Sequence, residues 1–129
     1  MPSPIPPRIL IADDHTKLVE ALKFRFEKRG FQVHTAHDGY NALATATREP
    51  LDLMILDINM PAGDGFSVQE RLHKPRGSAG IPVIYITGDK SVRLDEVAED
   101  LGALAVFHKP FQFNELFHAA SCIVRDIAA

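Results

Sequence analysis

Cysteine is nearly absent from this sequence, which contains one, Cys122, among 129 residues. A single cysteine cannot form an internal disulfide, and it cannot build a cysteine-based metal site. Cys122 lies in an apolar helical pattern, and free cysteines are commonly buried, so we expect it to pack in the core. The histidines are scattered, with no pair at zinc-ligand spacing on one helix, which predicts surface or packing roles for them.

Long apolar runs and an excess of positive charge are also missing. No run approaches the roughly 20 residues that a membrane-spanning helix needs. Residues 1–7 lack the basic and apolar regions of a signal peptide. The formal net charge is −3, whereas binding to nucleic acid usually needs a clustered positive surface. These absences predict a cytoplasmic protein that binds neither a membrane nor, directly, nucleic acid.

The composition is that of one globular domain. Hydrophobic residues make up 46% and charged residues 24% of a chain long enough for one sizeable core. Three of residues 4–7 are prolines, which cannot join a helix or a central strand. We therefore predict a flexible proline-rich leader over residues 1–7 and a single domain over residues 8–127.

Short strand-like segments alternate with longer segments of helical period. The predicted strands are residues 9–12, 31–36, 51–56, 81–86 and 103–107. Most of them are apolar almost throughout, which is typical of parallel strands buried on both faces. The predicted helices are a segment containing Leu18 and Phe26, residues 40–48, residues 66–73, a segment beginning near Ser91, and a strongly periodic last segment. Five strand–helix units predict an α/β fold with a doubly wound parallel sheet.

Polar side chains follow four of the predicted strands. They are Asp13 and Asp14, Asp57, Thr87, and Lys109. Ligands of an open parallel sheet bind outside the carboxyl ends of its strands, so these side chains should gather at one edge. Close carboxylates repel unless a cation lies among them, and a hard divalent ion such as Mg²⁺ prefers oxygen ligands. A carboxylate is also a competent nucleophile toward phosphorus, and a metal, a lysine and a hydroxyl stabilise transferred phosphoryl oxygens.

Each of these residues also has an ordinary structural interpretation. Asp13 or Asp14 could be the N-cap of the first helix. Asp57 could be a solvated loop residue, and the dipeptides at residues 87–88 and 109–110 are common turn signals. No single position is specific, but all four strand ends carrying such residues would be hard to obtain by chance.

The sequence resembles the response-regulator receiver domains of two-component signalling over about residues 8–127. The matching motifs are Ile-Leu-Ile-Ala-Asp-Asp at 9–14, Leu-Met-Ile-Leu-Asp-Ile-Asn-Met-Pro at 53–61, Ile-Tyr-Ile-Thr-Gly at 84–88 and His-Lys-Pro-Phe at 108–111. The resemblance implies a flavodoxin-like fold of five parallel strands in order 2-1-3-4-5 with five helices. It also implies that Asp57 accepts a phosphoryl group from a phosphohistidine of a partner histidine kinase or histidine phosphotransfer protein.

The resemblance further implies a role for each site residue. Asp14 and Asp57 would bind Mg²⁺ directly, Asp13 would bind it through water, and the backbone carbonyl of Asn59 would be a further ligand. In the same family, Thr87 and Lys109 would contact the phosphoryl oxygens, and Thr87 would move inward on activation. The peptide bond between residues 109 and 110 is typically cis in this family.

One position departs from the family pattern. Three residues before Lys109 the family usually has Tyr or Phe, whose ring moves together with the threonine, but this chain has Val106. Val106 is too small for that role, and Phe107 should point to the opposite face of the strand. We therefore expect Thr87, the following loop and the helix beginning near Ser91 to relay activation. By analogy, the fourth helix, fifth strand and fifth helix would contact a downstream output domain, an effector protein or a second copy in a homodimer.

Two polar residues near the acceptor suggest control of the lifetime of the phosphorylated state. Asn59 lies two residues after Asp57, and Asp89 lies two residues after Thr87. One hypothesis is that they orient a hydrolytic water, and the alternative is that both simply face solvent.

Two other functions compete with a phosphorylated switch. A haloacid-dehalogenase-like phosphatase also uses an aspartate after a strand, but it needs a second carboxylate at position 59, where this chain has an amide. An atypical receiver would bind proteins without ever being phosphorylated, and the complete set of site residues argues against it. We therefore expect a regulatory domain that catalyses at most its own phosphorylation and dephosphorylation.

Overall fold

A computed structural model of the chain describes residues 5–72, 80–88 and 92–128. Strands and helices alternate strictly along these segments. They are β1 (Arg8–Ala12), α1 (Thr16–Lys28), β2 (Gln32–Ala36), α2 (Gly39–Arg48), β3 (Leu53–Asp57), α3 (Gly65–Leu72), β4 (Val83–Thr87), α4 (Val92–Asp100), β5 (Ala105–His108) and α5 (Phe113–Ala128). All predicted strands and helices are present, with ends that differ by a few residues. Residues 1–4, 73, 89 and 91, to which some predictions refer, lie outside the described segments.

The strands form one parallel sheet in the order β2-β1-β3-β4-β5. This confirms the predicted fold class and strand order. The order reverses between β1 and β3, which are neighbours in the sheet although β2 lies between them in the chain. The carboxyl ends of these two strands therefore open onto the crevice where such sheets bind their ligands.

The sheet separates two apolar clusters because successive side chains of a strand point to opposite faces. In one cluster, Ile11, Ile55 and Ile84 of the sheet pack against α1 and α5. Phe26 of α1 is fully buried in this cluster. The other joins alternate residues of the same strands, such as Leu56, to α2, α3 and α4. In β3 and β4 every residue is buried, as the apolar runs predicted.

Val106 and Phe107 lie on opposite faces of β5, as predicted. Val106 packs against the cluster on the α2–α4 side, and Phe107 packs against the cluster on the α1–α5 side. Phe107 therefore does not replace the aromatic ring that is missing at position 106. The peptide bond between Lys109 and Pro110 is cis.

The N-cap of α1 is His15, which makes no side-chain capping bond, so the alternative interpretation of Asp13 or Asp14 as the cap of that helix does not apply. One local expectation was wrong. Cys122 is half-buried instead of packed in the core, and its Sγ lies 3.7 Å from Nε2 of His118. The periodic pattern placed Cys122 near the apolar stripe of α5, but at its margin. Among helices of the described segments, none combines the length and apolar character that crossing a bilayer requires.

Candidate functional site

Three carboxylates meet at the carboxyl edge of the sheet. Asp13 and Asp14 follow β1, and Asp57 is the last residue of β3, the strand next to β1. One oxygen from each of the three lies within 4.8 Å of the others. Asp13 is 0% exposed and Asp57 is 4% exposed, whereas Asp14 faces solvent. The structure thus places these predicted residues together in a site with a buried floor and an open side.

Lys109 brings a positive charge into this acidic site. Its Nζ lies 2.6 Å from Oδ2 of Asp13 and 3.7 Å from Oδ2 of Asp57. Its backbone N–H donates to the carbonyl of Thr87 at 2.7 Å, which fixes the end of β5 against the end of β4. One ammonium facing three carboxylates leaves the group negatively charged, so it is suited to bind a further cation.

The pKa of Asp57 shows how these charges balance. Burial raises it most, and the neighbouring Asp13 carboxylate raises it further. The Lys109 ammonium and the N–H of Asn59, 3.3 Å from Oδ1 of Asp57, lower it, while Asp14 raises it again. The resulting pKa is about 6, above the ordinary value for aspartate. A cation placed between the carboxylates would favour the ionised form of Asp57.

This raised pKa predicts a dependence of stability on pH in metal-free buffer. Folded Asp57 holds its proton up to a higher pH than the unfolded chain does, so stability is lost as the pH rises from about 4 to about 6. Asp57→Asn removes that loss. In EDTA at pH 7.5 the variant should exceed wild type in free energy of unfolding, as measured by urea denaturation, by up to about 3 kcal/mol.

Measurement at two pH values separates this effect from other consequences of the substitution. Well below pH 4 the difference between Asp57→Asn and wild type should disappear, because Asp57 is then protonated in both the folded and the unfolded chain. Asp52→Asn is the matched control, since Asp52 lies before the other end of β3 and pairs with Arg8 at 3.4 Å. If wild type and Asp57→Asn have the same free energy of unfolding at pH 7.5, the raised pKa of Asp57 is contradicted.

The donor atoms of the site fit a hard divalent cation. All three side chains offer carboxylate oxygens, the ligands that Mg²⁺ prefers. Oδ1 of Asp13 accepts the N–H of His15 at 2.8 Å. Oδ2 of Asp13 is buried and forms an ion pair with the Lys109 ammonium at 2.6 Å, which leaves one of its two lone pairs unused. This oxygen retains the capacity to bind a water or a cation.

Thr87 and Asn59 lie at the rim of the same site. Thr87 is fully buried as the last residue of β4, next to β3 in the sheet. Asn59 is exposed. The preceding residue, Ile58, is bonded to β4, since its N–H donates to the carbonyl of Ile86 at 3.1 Å. Asp89, its suggested partner in hydrolysis, lies outside the described residues.

The structure adds two features around the site that the sequence did not indicate. Nδ1 of His37 lies 3.2 Å from the carbonyl oxygen of Asp13, which ties the end of β2 to the acidic group. Gly39, the first residue of α2, lies so close to Gly63 that a methyl group on it would be 1.8 Å from the Gly63 carbonyl oxygen. The N–H of Gly39 also donates to the carbonyl of Pro61 at 3.0 Å. The turn after Asp57 is therefore held against α2 by backbone contact.

Known proteins share the sequence pattern and the fold of this chain. The model of the response regulator receiver domain family matches residues 9–121. The chain is 33% identical over 119 residues to the DNA-binding dual master transcriptional regulator RpaA of Synechocystis, a match that covers 92% of this chain and 49% of that protein. It is 34% identical over 109 residues to sporulation initiation phosphotransferase F of Bacillus subtilis, covering 84% of this chain and 86% of that one.

A solved structure gives the same picture of the fold. A CheY-like response regulator receiver domain protein from Methanospirillum hungatei superposes with a TM-score of 0.86 at 29% identity, covering 94% of this chain and 95% of that one. The chain spans about half the length of the transcriptional regulators that it matches.

Proposed function

The chain belongs to the response-regulator receiver domains of two-component signalling, which are regulatory domains and not classical enzymes, and we propose that Asp57 is its phosphate acceptor. The donor would be a phosphohistidine of a partner histidine kinase or histidine phosphotransfer protein. The observation that carries this proposal is the convergence of Asp13, Asp14 and Asp57 around Lys109 at the carboxyl edge of the sheet.

Mg²⁺ is the cofactor that we propose for this site. Asp14 and Asp57 would bind it directly, Asp13 through a water, and Asn59 through its backbone carbonyl. The cluster of three carboxylate oxygens, with Asp14 on its exposed side, supports this assignment. The bound ion would supply positive charge that offsets the carboxylates and the incoming phosphoryl oxygens.

The transfer needs an ionised carboxylate and positive charge around the moving group. A carboxylate oxygen of Asp57 forms a bond to phosphorus while the bond between phosphorus and the histidine nitrogen breaks, and the imidazole leaves with that electron pair. The ammonium of Lys109, already 3.7 Å from Asp57, would turn from the carboxylates to a phosphoryl oxygen. The hydroxyl of Thr87, at the end of the next strand, would contact another.

We further propose that phosphorylation changes the loop after Thr87 and the face formed by α4, β5 and α5. A downstream output domain, an effector protein or a second copy in a homodimer would bind there. Residues 8–127 would form the receiver domain, in the cytoplasm. The relative RpaA is named as a DNA-binding regulator, but this chain covers only 49% of it. The partners proposed for this domain include neither nucleic acid nor a membrane.

Acetyl phosphate tests the proposal without knowledge of the partner kinase. Wild type incubated with acetyl phosphate and Mg²⁺ should gain about 80 Da, the mass of one phosphoryl group. Trypsin should leave the added mass on the peptide of residues 49–71, which contains Asp57. Replacing Mg²⁺ by EDTA should remove most of it.

Two results would contradict the proposal. No added mass in the presence of Mg²⁺ would favour a receiver that acts only as a protein-binding module. Sustained release of phosphate from small phosphate esters would instead indicate a phosphatase.

A further inference from the structure

Tyr85 places an aromatic ring on β4, on the side of the sheet covered by α2–α4. It is fully buried, and its ring packs edge-to-face against that of Phe66 in α3, with centroids 5.1 Å apart. Its partner in the pairing of β4 with β5 is Val106. Since side chains alternate along a strand, Tyr85 lies on the same face of β4 as Thr87, two residues further on. Tyr85, a large side chain with a hydroxyl at its end, is thus the cross-strand neighbour of Val106.

The hydroxyl of Tyr85 has two acceptors on α3. One is the backbone carbonyl of Gly65 at 3.2 Å, and the other is Oε1 of Gln69, with which it makes a short hydrogen bond. Burial raises the pKa of this hydroxyl, so it remains a donor at neutral pH. A hydroxyl has one hydrogen, so the two acceptors share one donor. The balance between them depends on small displacements of Gly65 relative to Gln69.

Gly65 connects this hydroxyl to the backbone of the phosphate acceptor. Its N–H donates to the carbonyl of Ile58 at 3.0 Å. A methyl group on Gly65 would lie 2.6 Å from the carbonyl oxygen of Asp57 and 3.0 Å from Cε1 of Tyr85. No space therefore separates the backbone of Asp57, the start of α3 and the tyrosine ring. Because close-packed groups do not move independently, we expect a shift of the Asp57 backbone to displace Tyr85.

Gln69 extends the connection to α4. It is 2% exposed, and its Nε2 donates to the carbonyl of Leu101 at 2.8 Å. Leu101 directly follows α4, and its N–H donates to the carbonyl of Val97 at 3.0 Å, so it continues the last turn of that helix. One buried side-chain amide thus accepts from β4 and donates to the end of α4.

We propose that Tyr85 and Gln69 are positioning residues that couple the backbone around Asp57 to the C-terminal end of α4. This coupling rests on the proposed function, because phosphorylation of Asp57 is the event that it would transmit. Displacement of Gly65 would shift the Tyr85 hydroxyl between its two acceptors. The hydrogen bond from Gln69 to the Leu101 carbonyl would then change as well. The route runs through α3, whereas Val106 offers no polar atom for a route through β5.

Hydrogen–deuterium exchange of residues 97–104, with and without acetyl phosphate and Mg²⁺, measures this coupling. In wild type, phosphorylation should change the exchange of this segment. In Tyr85→Phe, which keeps the ring and removes the hydroxyl, the change should be smaller by about threefold or more at equal phosphorylation. Gln69→Met should do the same. The double variant should lose no more than either single variant, because both act in one connection.

The exchange of each phosphorylated variant is compared with that of the same variant without phosphate. A loss of stability that affects both forms equally is therefore not mistaken for a loss of coupling. Glu70→Gln, an exposed neighbour on α3, is the matched control and should respond like wild type. If Tyr85→Phe fails to fold, Gln69→Met alone decides the question.

The possible failures are distinguishable. A full exchange response in phosphorylated Tyr85→Phe and Gln69→Met would overturn the coupling and leave the proposed function intact. The same holds if phosphorylated wild type shows no change in residues 97–104. If wild type gains no phosphoryl mass at all, the proposed function fails and the coupling fails with it.

Discussion

Asp57→Asn should take up no phosphoryl group from acetyl phosphate under conditions in which wild type gains about 80 Da. The carboxamide has nearly the same shape, but its nitrogen and oxygen are poor nucleophiles toward phosphorus. It also removes one negative ligand from the proposed metal site. Loss of the added mass should therefore be complete, which makes this the largest effect expected of any single substitution here.

Asp52→Asn is the control for that experiment. Asp52 and Asp57 fall in the same tryptic peptide, but Asp52 lies just before the amino end of β3 and binds Arg8. The control should gain the phosphoryl group as wild type does. Added mass that persists in Asp57→Asn and disappears in Asp52→Asn would exclude Asp57 as the acceptor.

Gly39→Ala should lower the free energy of unfolding by about 4 kcal/mol, near the upper end for single substitutions. The new methyl group would lie 1.8 Å from the carbonyl oxygen of Gly63 and 2.4 Å from its carbonyl carbon, so backbone must move. Alanine is otherwise the better residue in a helix, by about 1 kcal/mol, which makes a loss diagnostic of the clash. Urea denaturation at pH 7.5 measures the effect.

The matched control is Gly88→Ala. A methyl group on Gly88 would meet nothing within 4 Å among the described residues. Its stability should remain within about 0.5 kcal/mol of wild type, as for substitutions that create no clash. An equal free energy of unfolding for Gly39→Ala and Gly88→Ala would contradict this prediction. It would mean that the turn after Asp57 can move away from α2 with no loss of stability.

The parts of the fold that follow from local pattern were accessible from the sequence. The apolar runs at residues 51–56 and 81–86 predict strands buried on both sides, and the strands found there, Leu53–Asp57 and Val83–Thr87, are buried throughout. The site follows from the same reasoning, because parallel strands bring Asp13, Asp57 and Lys109 to one edge whatever lies between them in the chain. The strand order itself came from the family resemblance and not from periodicity.

The features that escaped prediction depend on contacts between distant elements. Nothing in the local sequence distinguishes Gln69 from an exposed glutamine on α3, and its role depends on Leu101 lying 2.8 Å away. The sequence predicts a helix over residues 40–48 but not the backbone contact of Gly39 with Gly63. The contacts of Asp13 with the Lys109 ammonium and the N–H of His15 likewise join the end of β1 to residues that the local sequence does not connect.

The two apolar clusters on either side of the sheet have a consequence for how the protein can change. The cluster of α1 and α5 shares no side chain with the one that contains Tyr85, since alternate residues of each strand serve different faces. Substitutions on opposite faces, separated by the thickness of the sheet, should have additive effects on stability. Mutation can therefore alter the surface of α1 for a new partner while the α3–α4 side keeps its response. Choice of partner and transmission of the signal would then be inherited as separate traits.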